Sequence, residues 1–228
     1  MEQLQSPIWL QWQQLGAQQR VAALLEWQQA LDLVPAQWRQ LAAFQCRQML
    51  RLSALEQSLP SPSGESNEYY LSGRGLVFVY STQGDDDYRW YVATIAALAA
   101  GNAVQLASDF PELDSMLASF SETLYLRQLP ADGLLTGCEC IDLQHQLASH
   151  QYAALCYYGE AELAQAIRLQ LAEGDGPIIP FICEVLGDPQ ASLTHPDFLL
   201  QLVCERTRTT NLTAIGGNTE LLTLGSKA

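Results

Sequence analysis

The sequence predicts an α/β fold: a Rossmann-like parallel sheet covered by helices, preceded by a helical segment over residues 1–58 and followed by a β-flap tail over 202–228. Three observations lead there. Apolar residues recur at helical spacing through the first 58 positions. The run "LPSPSGESN", residues 59–67, holds two prolines, a glycine and three serines, so no helix continues through it. Beyond it, short β-branched or aromatic runs alternate with helical stretches up to residue 201, the pattern of a parallel sheet with both faces covered.

The elements follow in order. Val21, Leu24, Leu25 and Leu31 share one helical face. Trp38, Leu41, Ala42, Met49, Leu52 and Leu55 share another, in a helix that Pro35 opens where its missing N–H costs nothing. Glutamines are expected on the outward faces. Trp9, Trp12, Trp27 and Trp38 read as packing between helices, the alternative being a binding surface. Strands are expected at 68–72, 75–80, 103–107, 123–127, 153–158 and 177–183, and helices at 86–100, 111–119 and 160–172. The helix at 86–100 ends in Gly101-Asn102, where glycine supplies a left-handed cap. The tail "NLTAIGGNTELLTLG", residues 211–225, alternates polar and apolar, breaks at Gly216-Gly217-Asn218 and resumes, which reads as strand, turn, strand. The segment "DPQASLTHP" separates it from the α/β body, so it need not join the same sheet.

At 228 residues and 48% hydrophobic, the chain can bury a sizeable core. Its formal charge of −14 argues against a nucleic-acid partner, because neutralising phosphate needs lysine and arginine in excess. No apolar run reaches the roughly 20 residues of a membrane span, and the glutamine-rich N-terminus lacks the plan of a signal peptide. A cytoplasmic location is expected. Six cysteines do not form a disulfide framework here. Cys156 and Cys183 lie in apolar runs and are expected to be buried. Cys138, Cys140 and His145 imitate a metal site but lack the second ligand pair of structural zinc, so no metal is expected. His150 and His195 read as loop or surface histidines.

An α/β sheet invites a nucleotide, held where helix N-termini follow strands. Carboxylates fill both candidate positions: Asp85, Asp86 and Asp87 after one strand, Glu160 and Glu162 after another. Each stabilises its helix by about 0.3–1 kcal/mol through the dipole, and each repels a pyrophosphate. No GxGxxG, P-loop or nucleophile elbow is present.

The run "GRGLVFVYSTQGDDDYRWYVATIAALAAGNAVQLASDFPEL" resembles the start of the cofactor domain of the aldehyde dehydrogenase superfamily. "YYGEAELAQAIRLQLAEGDGPIIPFICEVLG" resembles a later part of it. "LPSPSGESNEYYL" and "TNLTAIGGNTELLTLG" resemble the C-terminal region of the bifunctional proline-utilisation flavoenzymes, which join proline dehydrogenase to L-glutamate-γ-semialdehyde dehydrogenase. The resemblance runs from about residue 59 to the end. Position by position it implies lost chemistry. Ala107-Ser108-Asp109-Phe110 stands where active members carry a lysine run near the adenosine ribose. Gln83 to Asp87 replaces the run lining the nicotinamide, and Gly159-Glu160-Ala161 replaces the phosphate loop. Glu184 falls at the general-base glutamate, but Val185-Leu186-Gly187 follows it, and no cysteine-bearing catalytic domain comes after.

The resemblance therefore implies a non-catalytic C-terminal domain, holding no cofactor itself, of an enzyme that uses FAD and NAD to take proline through pyrroline-5-carboxylate to glutamate. It would support substrate channelling and packing against an upstream dehydrogenase domain of the same polypeptide or a second subunit. The contact would run through Asn211, Leu212, Thr213, Ile215, Gly216, Gly217, Asn218 and Leu221. Two alternatives are an NAD-binding domain or small aldehyde dehydrogenase acting alone, and an interaction module built on the tryptophan-rich helices.

Overall fold

The computed structural model describes residues 7–54, 57–62, 64–82, 87–138, 143–149, 151–185 and 192–212. Three helices come first: α1 (Pro7–Gln14), α2 (Gly16–Ala30) and α3 (Ala36–Ser53). Pro35 stands immediately before α3, as its fixed φ and missing donor allow. Trp9, Trp12 and Trp27 are buried and Trp38 is half-buried against the same core, so the tryptophans pack rather than present a surface. Trp12 and Trp27 each remove about 4–6 kcal/mol worth of apolar surface from water, before ordering entropy is subtracted.

Most glutamines of these helices are exposed, as expected, but three are buried. Gln28, Gln45 and Gln48 lie inside. Gln45 Nε2 donates to the carbonyls of Leu193 (2.5 Å) and His195 (3.2 Å), tying α3 to a segment 150 residues away. These two carbonyls meet the amide's N–H group, while its Oε1 is buried without a partner among the described residues, and the long-range tie has no local sequence signature.

The strands and helices that follow are β1 (Gln57–Leu59), β2 (Glu65–Gly73), β3 (Leu76–Ser81), α4 (Arg89–Ala99), β4 (Ala103–Ser108), α5 (Leu113–Leu126), β5 (Leu135–Cys138), α6 (Leu143–Ala148), β6 (Ala154–Gly159), α7 (Ala161–Glu173) and β7 (Phe181–Val185). Two short 3-10 segments, Ser192–Thr194 and Pro196–Gln201, lead to β8 (Val203–Asn211). Strands β5-β4-β3-β6-β7 form, in that order, a parallel sheet. One face, with Val77, Val79, Cys156 and Tyr158, packs on α4, α5 and the N-terminal helices. The other, with Phe78, Tyr80, Leu155 and Tyr157, packs on Leu143 and Leu147 of α6 and Ala164 and Ile167 of α7. The expected α/β fold, sheet covered on both sides, is present.

Several boundaries differ. Residues 123–127, expected as a strand, finish α5 instead. Thr123 and Leu124 continue the buried stripe of Met116 and Phe120, and Thr123 Oγ1 donates back to Ser119 O (2.9 Å), so tertiary packing overrides β propensity. The strand expected at 177–183 starts only at Phe181, past Pro177 and Pro180, neither of which can donate to a ladder. It is an edge strand, so Cys183 is half-buried rather than buried. Strands β1 and β5 and helix α6 are additional. α4 closes as expected: Gly101 adopts φ 93°, its N–H reaching Leu98 O and that of Asn102 reaching Ala97 O, a Schellman closure.

A second sheet, β1-β2-β8, is antiparallel and separate from the first. β2 and β8 pair over nine residues, Glu65 opposite Asn211 through Gly73 opposite Val203. Its root is fixed by Asn102, whose side chain makes four hydrogen bonds. Oδ1 accepts from the N–H groups of Arg74 (2.6 Å) and Gly75 (3.1 Å), and Nδ2 donates to the carbonyls of Ala97 and Leu202 (both 3.0 Å). Gly73 has no room for a side chain there, since a Cβ would lie 2.6 Å from the backbone carbonyl of Gly101. Asn211 ends β8. Leu212 is largely exposed, its N–H bonded to Gly64 O (2.7 Å). Thr213, Ile215, Gly216, Gly217, Asn218 and Leu221 lie outside the described residues.

Candidate functional site

In a parallel sheet whose strand order reverses, ligands settle beyond the carboxyl ends of the strands flanking the reversal. Here those strands are β3 and β6. Their ends carry Ser81 and Thr82 on one side and Tyr157, Tyr158 and Gly159 on the other.

Side chains fill this position. Tyr157 points to the α7 side, its ring stacked on Tyr80 (centroids 5.7 Å apart, 20° between planes), and its hydroxyl donates to Glu160 O (3.2 Å). Thr82 bonds the same phenol, while its own N–H is held by Tyr158 O (3.3 Å). Burial pushes the Tyr157 phenol up, so it stays neutral. A Cβ on Gly159 would lie 2.4 Å from the Tyr157 hydroxyl and 2.6 Å from Thr82 Oγ1. Glu160 then caps α7 and Glu162 sits in its first turn. These residues leave no room for a side chain at Gly159, and the carboxylates of Glu160 and Glu162 disfavour a pyrophosphate at the turn after β6. Gly159→Ala is expected to destabilise the fold by about 2–3 kcal/mol, as overpacking does, read as a lower urea midpoint with unchanged slope.

The other face of the same strand ends in a polar cluster. Asp87 grips the Arg89 guanidinium through two oxygens (Nε–Oδ1 3.0 Å, Nη2–Oδ2 2.6 Å) and accepts the Arg89 N–H (3.1 Å) at the start of α4. Asp85 and Asp86 lie outside the described residues. The guanidinium rests over the Tyr158 ring (5.7 Å) and comes within 3.7 Å of Glu184 Oε2. Burial pushes the Tyr158 phenol well up.

Glu184, at the position implied for a general base, is 3% exposed on β7. Its Oε1 accepts from Ser192 Oγ (2.5 Å) and from Leu193 N–H (3.1 Å). A base must reach its proton directly or through one water. This carboxylate instead fastens the segment after β7, the same segment Gln45 holds from the other side. Sequence reading missed that clamp, because its partners Ser192 and Leu193 stand eight and nine residues on, at no strand or helix period.

The remaining candidates are dispersed. Ala107 is buried in β4, and Ser108 Oγ accepts the Phe110 N–H (3.3 Å). His195 caps its 3-10 segment, Nδ1 accepting from Asp197 N–H (3.2 Å), as suits a loop histidine. Cys140, Glu139 and His150 lie outside the described residues. Among the described residues no group of His, Cys, Asp and Glu is placed to hold a metal ion, and no helix is long and apolar enough to cross a membrane.

No protein-family model matches the sequence, and no curated protein matches it either. Solved structures do. The chain is similar to a bifunctional proline utilization A (PutA) protein at 25% identity and a TM-score of 0.63, over 78% of this chain and 20% of that one. It is similar to proline utilization A from Bradyrhizobium japonicum at 25% identity and a TM-score of 0.61, over 76% and 20%. An NAD-dependent benzaldehyde dehydrogenase from Corynebacterium glutamicum shares the fold at 18% identity and a TM-score of 0.56, over 79% and 43%. The matched region spans about a fifth of the PutA chains.

Proposed function

We propose, from the premise that this chain is an aldehyde-dehydrogenase-superfamily-like domain of the PutA kind, that it is a non-catalytic unit of a proline-catabolic enzyme. In that enzyme it supports the passage of pyrroline-5-carboxylate to the dehydrogenase site, and β2 and β8 carry the tail from Asn211 onward to an adjoining dehydrogenase domain or subunit. The observation that carries the reading is the filled reversal point. Tyr157 and Thr82 leave Gly159 no space even for a Cβ, so the position where a dinucleotide would rest on a helix N-terminus holds protein and carboxylates instead. The bonded and buried Glu184 supports it further. NAD and FAD belong, on this reading, to the rest of the parent enzyme.

Two measurements test it. Calorimetric titration of the chain with NAD to millimolar concentration is expected to give no binding. A dissociation constant below roughly 100 μM, about −5.5 kcal/mol, would favour an NAD-binding unit. In the full enzyme, truncation after Leu212 is expected to spare proline oxidation but to introduce a lag before NADH appears, as the intermediate escapes to solvent. Unchanged NADH production without a lag would remove the channelling role.

A further inference from the structure

At the opposite end of the parallel sheet from the filled crevice, where β6 and β7 begin, a cleft of about 410 Å³ opens between α6, α7 and the loop entering β7. Its walls are apolar: Leu147 of α6, Leu171 of α7, Ile178 of the loop and Phe181 of β7. Tyr152 forms the floor. Its hydroxyl is engaged at 2.7 Å with Gln105 Oε1 and 2.5 Å with Gln146 Oε1, so the ring is what it offers to the cleft. At the mouth Ile178 is fully exposed, an apolar side chain with nothing over it.

Among the described residues one charge lines this cleft. The Arg168 guanidinium lies 5.5 Å from the centre of the Phe181 ring. Arg168 is the only lysine or arginine between Arg127 and Arg206, in a chain of net charge −14. Among the described residues it forms no ion pair. A guanidinium stacked on an aromatic face keeps its donor edge free, and that edge matches a carboxylate in two-point geometry. The volume falls in the range of small-molecule sites, which combine apolar walls with a few orienting polar groups. A single cation balances one negative charge. Glu173 and Asp175 flank the loop in sequence and disfavour a phosphate or other polyanion.

We propose that this cleft binds a small apolar monocarboxylate, its hydrocarbon end against Leu147, Leu171 and Tyr152 and its carboxylate on Arg168. The assignment is independent of the role assigned above, since it involves neither the β3/β6 crevice nor the tail.

Octanoate is the probe, titrated into the full chain by calorimetry and followed in parallel by saturation-transfer NMR, with octan-1-ol as the neutral control. A ligand of this size is expected to bind with a dissociation constant of about 1 mM or lower. Arg168→Gln, at an exposed position that should not disturb folding, is expected to weaken octanoate by about tenfold or more while octan-1-ol changes by less than about twofold. Leu171→Trp, which fills the cleft, is expected to abolish both. Absence of octanoate binding at about 10 mM, equal affinity in the wild type and Arg168→Gln, or binding that survives Leu171→Trp would each overturn the proposal.

Discussion

Raising the pH from 8 to 11 is expected to unfold this protein progressively. Burial pushes the thiols of Cys46 and Cys156 up from 9.0 to about 12. It also lifts the phenols of Tyr91 and Tyr158 above the usual 10.0. All four sit in one core cluster, Tyr91 on α4 itself. Between pH 9 and 12 the folded chain keeps protons that the unfolded chain releases. The stability these groups contribute is therefore complete below pH 9 and falls as pH rises, by about 1.4 kcal/mol per unit for each group. Two thiols over two units amount to about 5 kcal/mol, comparable with the whole stability of a typical domain. Urea midpoints at pH 8, 9.5 and 11 measure the effect. The double variant Cys46→Ala, Cys156→Ala should flatten the curve most between about pH 8.5 and 9.5, below the usual tyrosine value of 10.0, and leave the tyrosine-driven fall above it. A midpoint that stays level to pH 11 in the wild type would mean that these groups are reached by solvent.

The second large effect is at Asn102. Alanine there removes four hydrogen bonds and strands the Gly75 N–H and the Leu202 carbonyl in a buried junction, while Ala97 O keeps the backbone N–H of residue 102. Each net bond contributes about 1 kcal/mol, and an unsatisfied buried partner costs more, so about 3–5 kcal/mol of destabilisation is expected in chemical denaturation. Aspartate keeps the two accepting contacts, loses both donations and buries a charge, so it should be no better than alanine. Limited proteolysis separates this root from the rest of the fold: cleavage in β2 or β8 should precede cleavage in the parallel sheet. Destabilisation below about 1 kcal/mol would mean that water replaces the side chain.

What was legible in the sequence was local and periodic. The strand Leu76–Ser81, the helix ending at Gly101 and the strand Ala154–Gly159 announce themselves through continuous apolar runs and a glycine cap, and the alternation of such runs with helices gives the fold class. The filled crevice was half legible. Glu160 and Glu162 argued against phosphate from charge alone, but the occupation of the site by Tyr157 depends on a neighbouring strand supplying Thr82 and Tyr80. Residues 123–127 misled because threonine and tyrosine favour strands while burial there follows a helix. Most opaque were the long-range polar ties: Gln45 to Leu193, Glu184 to Ser192, Asn102 to Leu202. An amide or carboxylate in a sequence looks the same whether water or a distant carbonyl will meet it.

The pairing of β2 with β8 has a consequence for synthesis. The two strands are about 130 residues apart in sequence, with the whole parallel sheet between them. At roughly 5–20 residues per second, β2 leaves the ribosome about 7–26 s before its partner exists. During that interval Tyr69, Tyr70 and Leu71 belong to a strand without its longest ladder, while β3 to β7 can already assemble against the N-terminal helices. Closing so large a loop is entropically unrewarded until the last bonds form, and the Asn102 junction is completed only when Leu202 arrives. The nascent chain thus carries an open strand edge while residues 74–202 are being made, which is the stage at which aggregation or chaperone capture would act on it.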